Sequence, residues 1–151
     1  MTSLRRIGLE FNTFTGEIPK EIGSLANFER LSMCCNKFSG SVPREIGNLI
    51  AMFGIFLHNN ALSGHIPKEI GNLVNLVELL LEANHLINGS LPNEIGNMST
   101  LTYLLLNDND LSGSIPKELF LLKSLVQMNI GSNQLSGSLP GEICNTTIQD
   151  L

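Results

Sequence analysis

Four residues that could bind a metal ion or transfer a proton stand at intervals of 24 along the chain: Glu10, Cys34, His58 and Glu82. Carboxylate, thiolate and imidazole are all zinc ligands. A cysteine and a histidine on an open surface would supply only two firm ligands, which do not complete a tetrahedral shell. Cys35 adjoins Cys34 while Cys144 is distant, which gives neither a disulfide framework nor a CxxC motif. A bridge between Cys34 and Cys35 would be a strained vicinal disulfide, which favours free thiols at that pair. We expect no metal site and no cofactor.

The same residues do not form a recognisable catalytic arrangement. No third group is placed to orient a cysteine and histidine pair, and no glycine-rich loop follows a strand to hold a phosphate. A second series of carboxylates stands beside basic residues, which is typical of a solvated, salt-bridged surface. Its members are Glu21, Glu45, Glu69, Glu94, Glu118 and Glu142. The sequence predicts that the chain is not an enzyme.

The composition is that of a folded, weakly acidic chain. Of its 151 residues, 42% are hydrophobic and 15% are charged, and the formal net charge is −5. Nine cations scattered among fourteen anions do not form the basic patch that nucleic acid requires. The longest apolar run, residues 49–57, is shorter than the roughly 20 residues of a membrane span. Residues 1–10 lack the apolar core of a signal peptide. We expect no nucleic acid partner and no membrane span or signal peptide in this chain.

All six prolines occur in one recurring context, with a glycine three residues earlier and Ile, Val or Leu directly before the proline. They are Pro19, Pro43, Pro67, Pro92, Pro116 and Pro140, at spacings of 24, 24, 25, 24 and 24. An asparagine stands seven residues before each proline, or eight in the fourth copy. These asparagines are Asn12, Asn36, Asn60, Asn84, Asn109 and Asn133. The chain is therefore built from tandem copies of one unit.

Each unit reads LxxLxxLxLxxNxLxGxIPxxIGx, and its LxL step alternates with the period of a β-strand. Leu79 and Leu81 are thus predicted to point inward, and Glu78, Leu80 and Glu82 outward. A strand this short is stable only beside the equivalent strand of the next unit. An asparagine amide offers two donors and an acceptor, so a stack of asparagines would satisfy backbone groups at the turn. We predict that the six asparagines form a structural ladder.

This pattern resembles the plant-type, 24-residue leucine-rich repeat, for which the Gly-x-Ile-Pro segment is characteristic. The resemblance implies an α/β fold class: a right-handed solenoid shaped like a horseshoe, with a parallel β-sheet on the concave face and short 3₁₀ or irregular segments on the convex face. The fourth copy carries one extra residue, expected around Ile87 and Asn88. Phe120 and Cys144 replace glycines of the other copies and are expected at partly buried packing positions.

We assign residues 1–151 to a single domain of six repeats, followed by the start of a seventh. The repeats are residues 1–24, 25–48, 49–72, 73–97, 98–121 and 122–145. The end coils of a solenoid need caps because they otherwise expose apolar edges, and no cap is recognisable in the sequence. The sequence therefore favours an internal part of a longer repeat array.

Outward strand positions at one repeat offset should form columns across the stacked coils. One column contains Arg6, Arg30, Gly54, Glu78, Tyr103 and Gln127, and the next contains Gly8, Ser32, Phe56, Leu80, Leu105 and Asn129. An exposed apolar cluster that includes a tyrosine is typical of a protein interface. The predicted partner-binding residues on the concave face are therefore Phe56, Leu80, Tyr103 and Leu105, with His58, Glu78, Glu82 and Arg30 around them. The alternative is that these are ordinary surface hydrophobes, or are covered by a neighbouring domain.

Charge along the face is uneven. Arg6, Arg30 and Lys37 belong to the first repeats, whereas Glu78, Glu82, Asp108 and Asp110 belong to later ones. Such a gradient could orient an extended peptide along the groove; solvated surface charge without a role is the alternative. Three N-glycosylation sequons begin at Asn88, Asn97 and Asn145, and glycans there would imply passage through the secretory route.

The phrase IPKEIGNL at residues 66–73 is similar to ectodomains of plant leucine-rich repeat receptor-like kinases. That resemblance implies a location on the extracellular side of the plasma membrane, with membrane attachment only through a transmembrane segment that this chain lacks. It implies a peptide or protein ligand, or a co-receptor ectodomain, as partner. Two alternatives remain open: a secreted inhibitor of cell-wall polygalacturonases, and a truncated repeat fragment without independent activity.

Overall fold

The computed structural model of the chain describes residues 3–150, apart from the side chain of Asn145. Met1, Thr2 and Leu151, at the limits of the predicted domain, lie outside the described residues. Within the described range, a strand, a second strand and a short 3₁₀ helix follow each other six times. This regular order is the coil-by-coil arrangement that the repeated asparagines and prolines predict.

The first strand of every coil joins one parallel sheet, here called the concave sheet. Its strands are β1 (Arg6–Gly8), β3 (Arg30–Ser32), β5 (Gly54–Phe56), β7 (Glu78–Leu80), β9 (Tyr103–Leu105) and β11 (Gln127–Asn129). Each strand pairs with the equivalent strand of the next coil, so that Glu78 lies beside Tyr103 and Leu80 beside Leu105. The expected parallel sheet and its residue columns are thus confirmed.

The strands that follow the asparagines form a second six-stranded parallel sheet. Irregular chain was expected in this part of each coil. Its strands are β2 (Thr15–Glu17), β4 (Lys37–Gly40), β6 (Ala61–His65), β8 (Leu86–Gly89), β10 (Asp110–Gly113) and β12 (Gln134–Leu135). The sequence signal for these strands is weak because only one position, occupied by Leu62 in β6, is a buried apolar residue. A glycine such as Gly64 follows at φ 73°, a backbone conformation that favours glycine.

The 3₁₀ helices begin directly after the prolines. They span Lys20–Ser24, Arg44–Asn48, Lys68–Asn72, Asn93–Asn97, Lys117–Leu121 and Gly141–Asn145. Pro67, for example, has φ −68° and extended ψ, which places the fixed proline ring at the helix entrance. Residues 3–150 contain no helix long and apolar enough to cross a membrane. The convex side of the expected solenoid is therefore made of single helical turns.

The helices pack closely because a glycine occupies their fourth position in the first four coils. A Cβ atom built on Gly71 would lie 2.3 Å from the carbonyl oxygen of Glu94 in the next coil. In the fifth coil Phe120 replaces this glycine and is buried, 3% exposed. Cys144, expected at a partly buried position, is exposed. The last helix has no described coil packed beyond it, so nothing covers the thiol there.

The interior is one continuous stack of apolar side chains. The central residues of the concave strands from β3 to β11 are almost fully buried, and Ile7 of β1 is partly buried. The buried residues are Leu31, Ile55, Leu79, Leu104 and Met128. Leu81 is buried as predicted, on the same side as Leu79. Because each coil packs only against its neighbours, the core runs along the whole solenoid axis.

The extra residue of the fourth coil lies two to three positions earlier than expected. Both residues belong to β8: Ile87 is buried, and Asn88 pairs with the adjacent strands β6 and β10. Neither of them therefore bulges out of the strand. His85, directly after Asn84, has φ 62° and is the additional residue. The extra residue therefore lies in the turn between Asn84 and β8, since β8 pairs regularly with β6 from Leu86 onward.

Candidate partner-binding face

The asparagine ladder fixes the edge of the concave sheet. The Asn36 side chain donates to the carbonyl oxygens of Leu9, Met33 and Cys34 at 2.8–3.2 Å, and its Oδ1 accepts from the Phe14 amide at 3.0 Å. Asn60 and Asn133 make the equivalent four bonds, and Asn84 makes all but the one to the carbonyl two residues before it. Asn12 and Asn109 make only donor bonds. Every rung from Asn36 onward joins two coils, so the side chains displayed by neighbouring strands keep a fixed spacing.

One rung of the ladder is incomplete. Oδ1 of Asn109 is buried and has no hydrogen-bond partner among the described residues. In the other coils the donor to this position is the amide two residues after the preceding asparagine, as Leu62 donates to Asn84 at 3.1 Å. His85 shifts that donor out of place in the fourth coil. The extra residue therefore costs one buried hydrogen bond.

A column of residues in left-handed backbone conformation precedes the asparagines. Its members are Phe11, Cys35, Asn59, Ala83, Asp108 and Ser132, with φ between 51° and 58°. Sequence reasoning missed this feature because only Asn59 and Asp108 are of types that favour that conformation. This turn directs the chain away from the concave sheet. In the second coil it places Cys35 at the edge of that sheet.

The predicted apolar cluster is only partly exposed. Phe56 is buried, 9% exposed, because the Arg30 guanidinium lies 4.3 Å from its ring centre and because the ring lies over Gly54, where a Cβ atom would meet it at 2.7 Å. Phe56 is thus wrongly predicted as an exposed contact. Tyr103 is 37% exposed, and its neighbours Leu80 and Leu105 are half-buried. The accessible part of the predicted apolar cluster consists of these three residues.

The arginine side chains of the first two coils already contact other residues of this chain. Arg5 and Arg6 pair with Glu29, which holds the pKa of that carboxyl below its usual range. The Arg6 guanidinium also lies 5.6 Å from the ring centre of Phe53. The pKa of Glu10 is lowered by a hydrogen bond from Ser32 and, more weakly, by the charge of Arg30. The predicted gradient is therefore partly neutralised at its basic end.

The column of metal-binding side chains is less open than the sequence suggests. Cys34 is buried, and the side chains of His58 and Glu82 are only 20% and 19% exposed. Burial, with the adjacent Cys35, raises the pKa of the Cys34 thiol to about 11. Burial likewise raises the pKa of the Glu82 carboxyl, whose Oε1 lies 3.8 Å from Nδ1 of His58. The structure holds Cys34, Cys35 and Cys144 as free thiols.

The sequons lie away from the concave sheet. Asn97 is exposed at the end of its 3₁₀ helix, and Asn88 is half-buried in β8. The side chain of Asn145 lies outside the described residues. Of the two sequon asparagines whose side chains are described, Asn97 is therefore the more accessible.

The sequence profile of the family described as Leucine Rich Repeat matches residues 3–25, 27–49, 100–122 and 124–146, more than half of the chain. No curated protein sequence matches the chain.

Solved ectodomains of plant receptors superpose closely on this chain. The Arabidopsis receptor kinase HAESA, in complex with the peptide hormone IDA and the co-receptor SERK1, is 39% identical, with a TM-score of 0.94 over 97% of this chain and 24% of that chain. The Arabidopsis thaliana GASSHO1/SCHENGEN3 ectodomain, in complex with CASPARIAN STRIP INTEGRITY FACTOR 2, is 34% identical, with a TM-score of 0.91 over 97% of this chain and 18% of that chain. A chain of the Arabidopsis thaliana BIR3–SERK2 complex is 32% identical, with a TM-score of 0.77 over 87% of this chain and 69% of that chain.

This chain spans less than a quarter of the length of the HAESA and GASSHO1/SCHENGEN3 chains. The profile, the two parallel sheets and these superpositions agree on the same repeat. The chain belongs to the leucine-rich repeat family, in the plant-type form of the receptor kinase ectodomains.

Proposed function

We propose that this chain is a non-catalytic recognition segment from the extracellular region of a plant receptor-like kinase at the plasma membrane. Its concave sheet binds a peptide or protein ligand, or the ectodomain of a co-receptor. Tyr103, Leu80 and Leu105 make the central contacts, and Glu78 and Glu82 lie beside them. The Phe56 ring packs against the Arg30 guanidinium and does not itself contact the partner.

The observation that carries this proposal is the accessible apolar surface on a rigid sheet. Tyr103 combines a large apolar ring with a polar hydroxyl, and it loses little side-chain entropy on binding. Its neighbours Leu80 and Leu105 are held in register by the pairing of β7 with β9. The similarity to HAESA, whose structure contains a peptide hormone and a co-receptor, supports the same two classes of partner.

Binding can be tested with two probes, the SERK1 ectodomain and peptides selected from a displayed library against immobilised chain. We expect at least one probe to bind and Tyr103→Ala to weaken that binding by tenfold or more, because truncation of a central interface tyrosine typically costs about 2 kcal/mol. Leu105→Ala should weaken it less. Binding constants from biolayer interferometry measure both effects.

Leu121→Ala is the matched control. Leu121 is 59% exposed but lies in a 3₁₀ helix on the convex side, so its truncation removes a similar exposed hydrophobe from a face that the proposal does not use. Binding that is weakened equally by Leu121→Ala and Tyr103→Ala would contradict the proposal. So would selected peptides that bind the Tyr103→Ala chain as tightly as the unaltered one.

A further inference from the structure

Cys34, Cys35 and His58 meet at the edge of the concave sheet. Each offers one ligand atom, and the two sulfurs and the imidazole nitrogen all lie within 4.8 Å of one another. The sequence argument against a metal assumed an open surface with two ligands. The structure instead places three soft or borderline ligands together and buries Cys34.

A second observation indicates that this cluster lacks a partner. Nδ1 of His58 and Oε2 of Glu82 are both shielded from solvent, and neither has a hydrogen-bond partner among the described residues. Buried polar atoms are normally satisfied, and leaving them unpaired is costly. A cation on the other ring nitrogen of His58 would fix a proton on Nδ1 and so favour a hydrogen bond from Nδ1 to the Glu82 carboxylate.

We propose that Cys34, Cys35 and His58 form a Zn²⁺ site, with Glu82 as the carboxylate that orients the histidine. The site adjoins the proposed partner-binding face, with which it shares Glu82, but the argument for it does not depend on partner binding. Two thiolates and one imidazole are a common zinc donor set, and the fourth position is left for water or a ligand group. Zn²⁺ on Nε2 would fix the proton on Nδ1, which lies 3.8 Å from Oε1 of Glu82, so a small rotation of the carboxylate would let it accept that proton.

The distances fit after a small adjustment. From the usual Zn–S and Zn–N bond lengths, ligand atoms around tetrahedral zinc lie roughly 3.5–3.8 Å apart. Cys35 and His58 are only partly buried, so rotation of their side chains can close the remaining gap of about 1 Å. The left-handed backbone at Cys35 turns this residue out of the strand alternation, which allows two adjacent cysteines to serve one ion.

Metal binding also has to displace the thiol protons. Burial favours the neutral thiol of Cys34 when no metal is bound. A divalent cation binds the thiolate instead, so zinc binding releases protons and weakens as the pH falls.

The test is a titration of the reduced chain with Co²⁺, followed by Zn²⁺, in a phosphine reductant that leaves three free thiols. We expect one Co²⁺ per chain, a thiolate-to-cobalt charge-transfer band, and loss of that band when Zn²⁺ is added. Cys35→Ser and His58→Gln should each weaken binding by tenfold or more. Glu82→Gln should weaken it by about ten- to a hundredfold, the usual effect of losing such a carboxylate.

Cys144→Ser is the control, since this exposed thiol is remote from the cluster and its loss should leave binding unchanged. Circular dichroism checks that each variant is folded. Cys34 is buried, so Cys35→Ser and His58→Gln keep the test decisive even if a Cys34 variant fails to fold. No charge-transfer band would overturn the proposal. A dissociation constant for Co²⁺ that His58→Gln leaves unchanged, or that Cys144→Ser raises tenfold, would also overturn it.

Discussion

Asn84 is the most deeply buried member of the asparagine ladder, at 1% exposed. Its amide donates to the carbonyl oxygens of Leu81 and Leu57, and its Oδ1 accepts from the Leu62 amide. Asn84→Ala removes the side-chain partner of all three backbone groups, each of which costs about 1–3 kcal/mol when left unpaired in the interior. We expect the free energy of unfolding to fall by about 3 kcal/mol, measured by urea denaturation.

Asn12 provides the comparison at the same scale. It occupies the same repeat position and donates to Leu9 and Glu10, but it is exposed, so water can replace its bonds. Asn12→Ala should cost less than about 1 kcal/mol. Equal losses at the two positions would show that the ladder is not stabilised by buried hydrogen bonds.

At the scale of the element, the spacing of the 3₁₀ helices depends on their glycines. Gly71→Ala places a Cβ atom 2.3 Å from a backbone oxygen, which cannot move without separating two coils. We expect a loss of about 3 kcal/mol, at the upper end of overpacking costs. Gly141→Ala, whose Cβ would have no neighbour within 4 Å, should be neutral or slightly stabilising. Thermal unfolding followed by circular dichroism separates these outcomes; a neutral Gly71→Ala would contradict the close packing.

The fourth coil offers a gain of stability. Deletion of His85 restores the 24-residue spacing and brings the Ile87 amide to the position that donates to Asn109 Oδ1 in the regular coils. We expect the free energy of unfolding to rise by about 1–2 kcal/mol, because a buried acceptor becomes paired. Insertion of a histidine after Asn60 should have the opposite effect, since it moves the Leu62 amide away from Asn84. A loss of stability on deleting His85 would show that the bulge has another stabilising role.

These elements also show how far sequence reasoning reaches. The concave strands were predictable because Leu79 and Leu81 alternate with charged neighbours, and the coil spacing because prolines and asparagines recur. The second sheet was missed, since β6 has a single buried leucine and no alternating pattern. The burial of Phe56 was missed because it depends on contacts across the strand pairing, with Arg30 and Gly54, that no local pattern reveals. The left-handed turn at Cys35, which brings it near Cys34 and His58, has no signal in its residue type.

At the scale of the whole molecule, the solenoid separates the side chains that hold the coils together from those that are available for the proposed recognition. Apolar side chains and asparagines hold the coils together from inside, while the concave sheet displays residues whose identity the stacking does not constrain. Tyr103 can be displayed at a position occupied by Arg30 and Glu78 in other coils because only the inward positions must be apolar. We therefore expect recognition to take place on the concave sheet.

Hydroxyl-radical footprinting of the chain, free and bound to the probe that binds most tightly, tests this claim most directly. We predict a several-fold reduction in side-chain oxidation at Tyr103, Leu80 and Leu105 in the complex. Ile50, Val74 and Leu121, which are exposed in or next to the 3₁₀ helices, should be oxidised equally in both states. Protection of that second set, with Tyr103 unchanged, would contradict the claim.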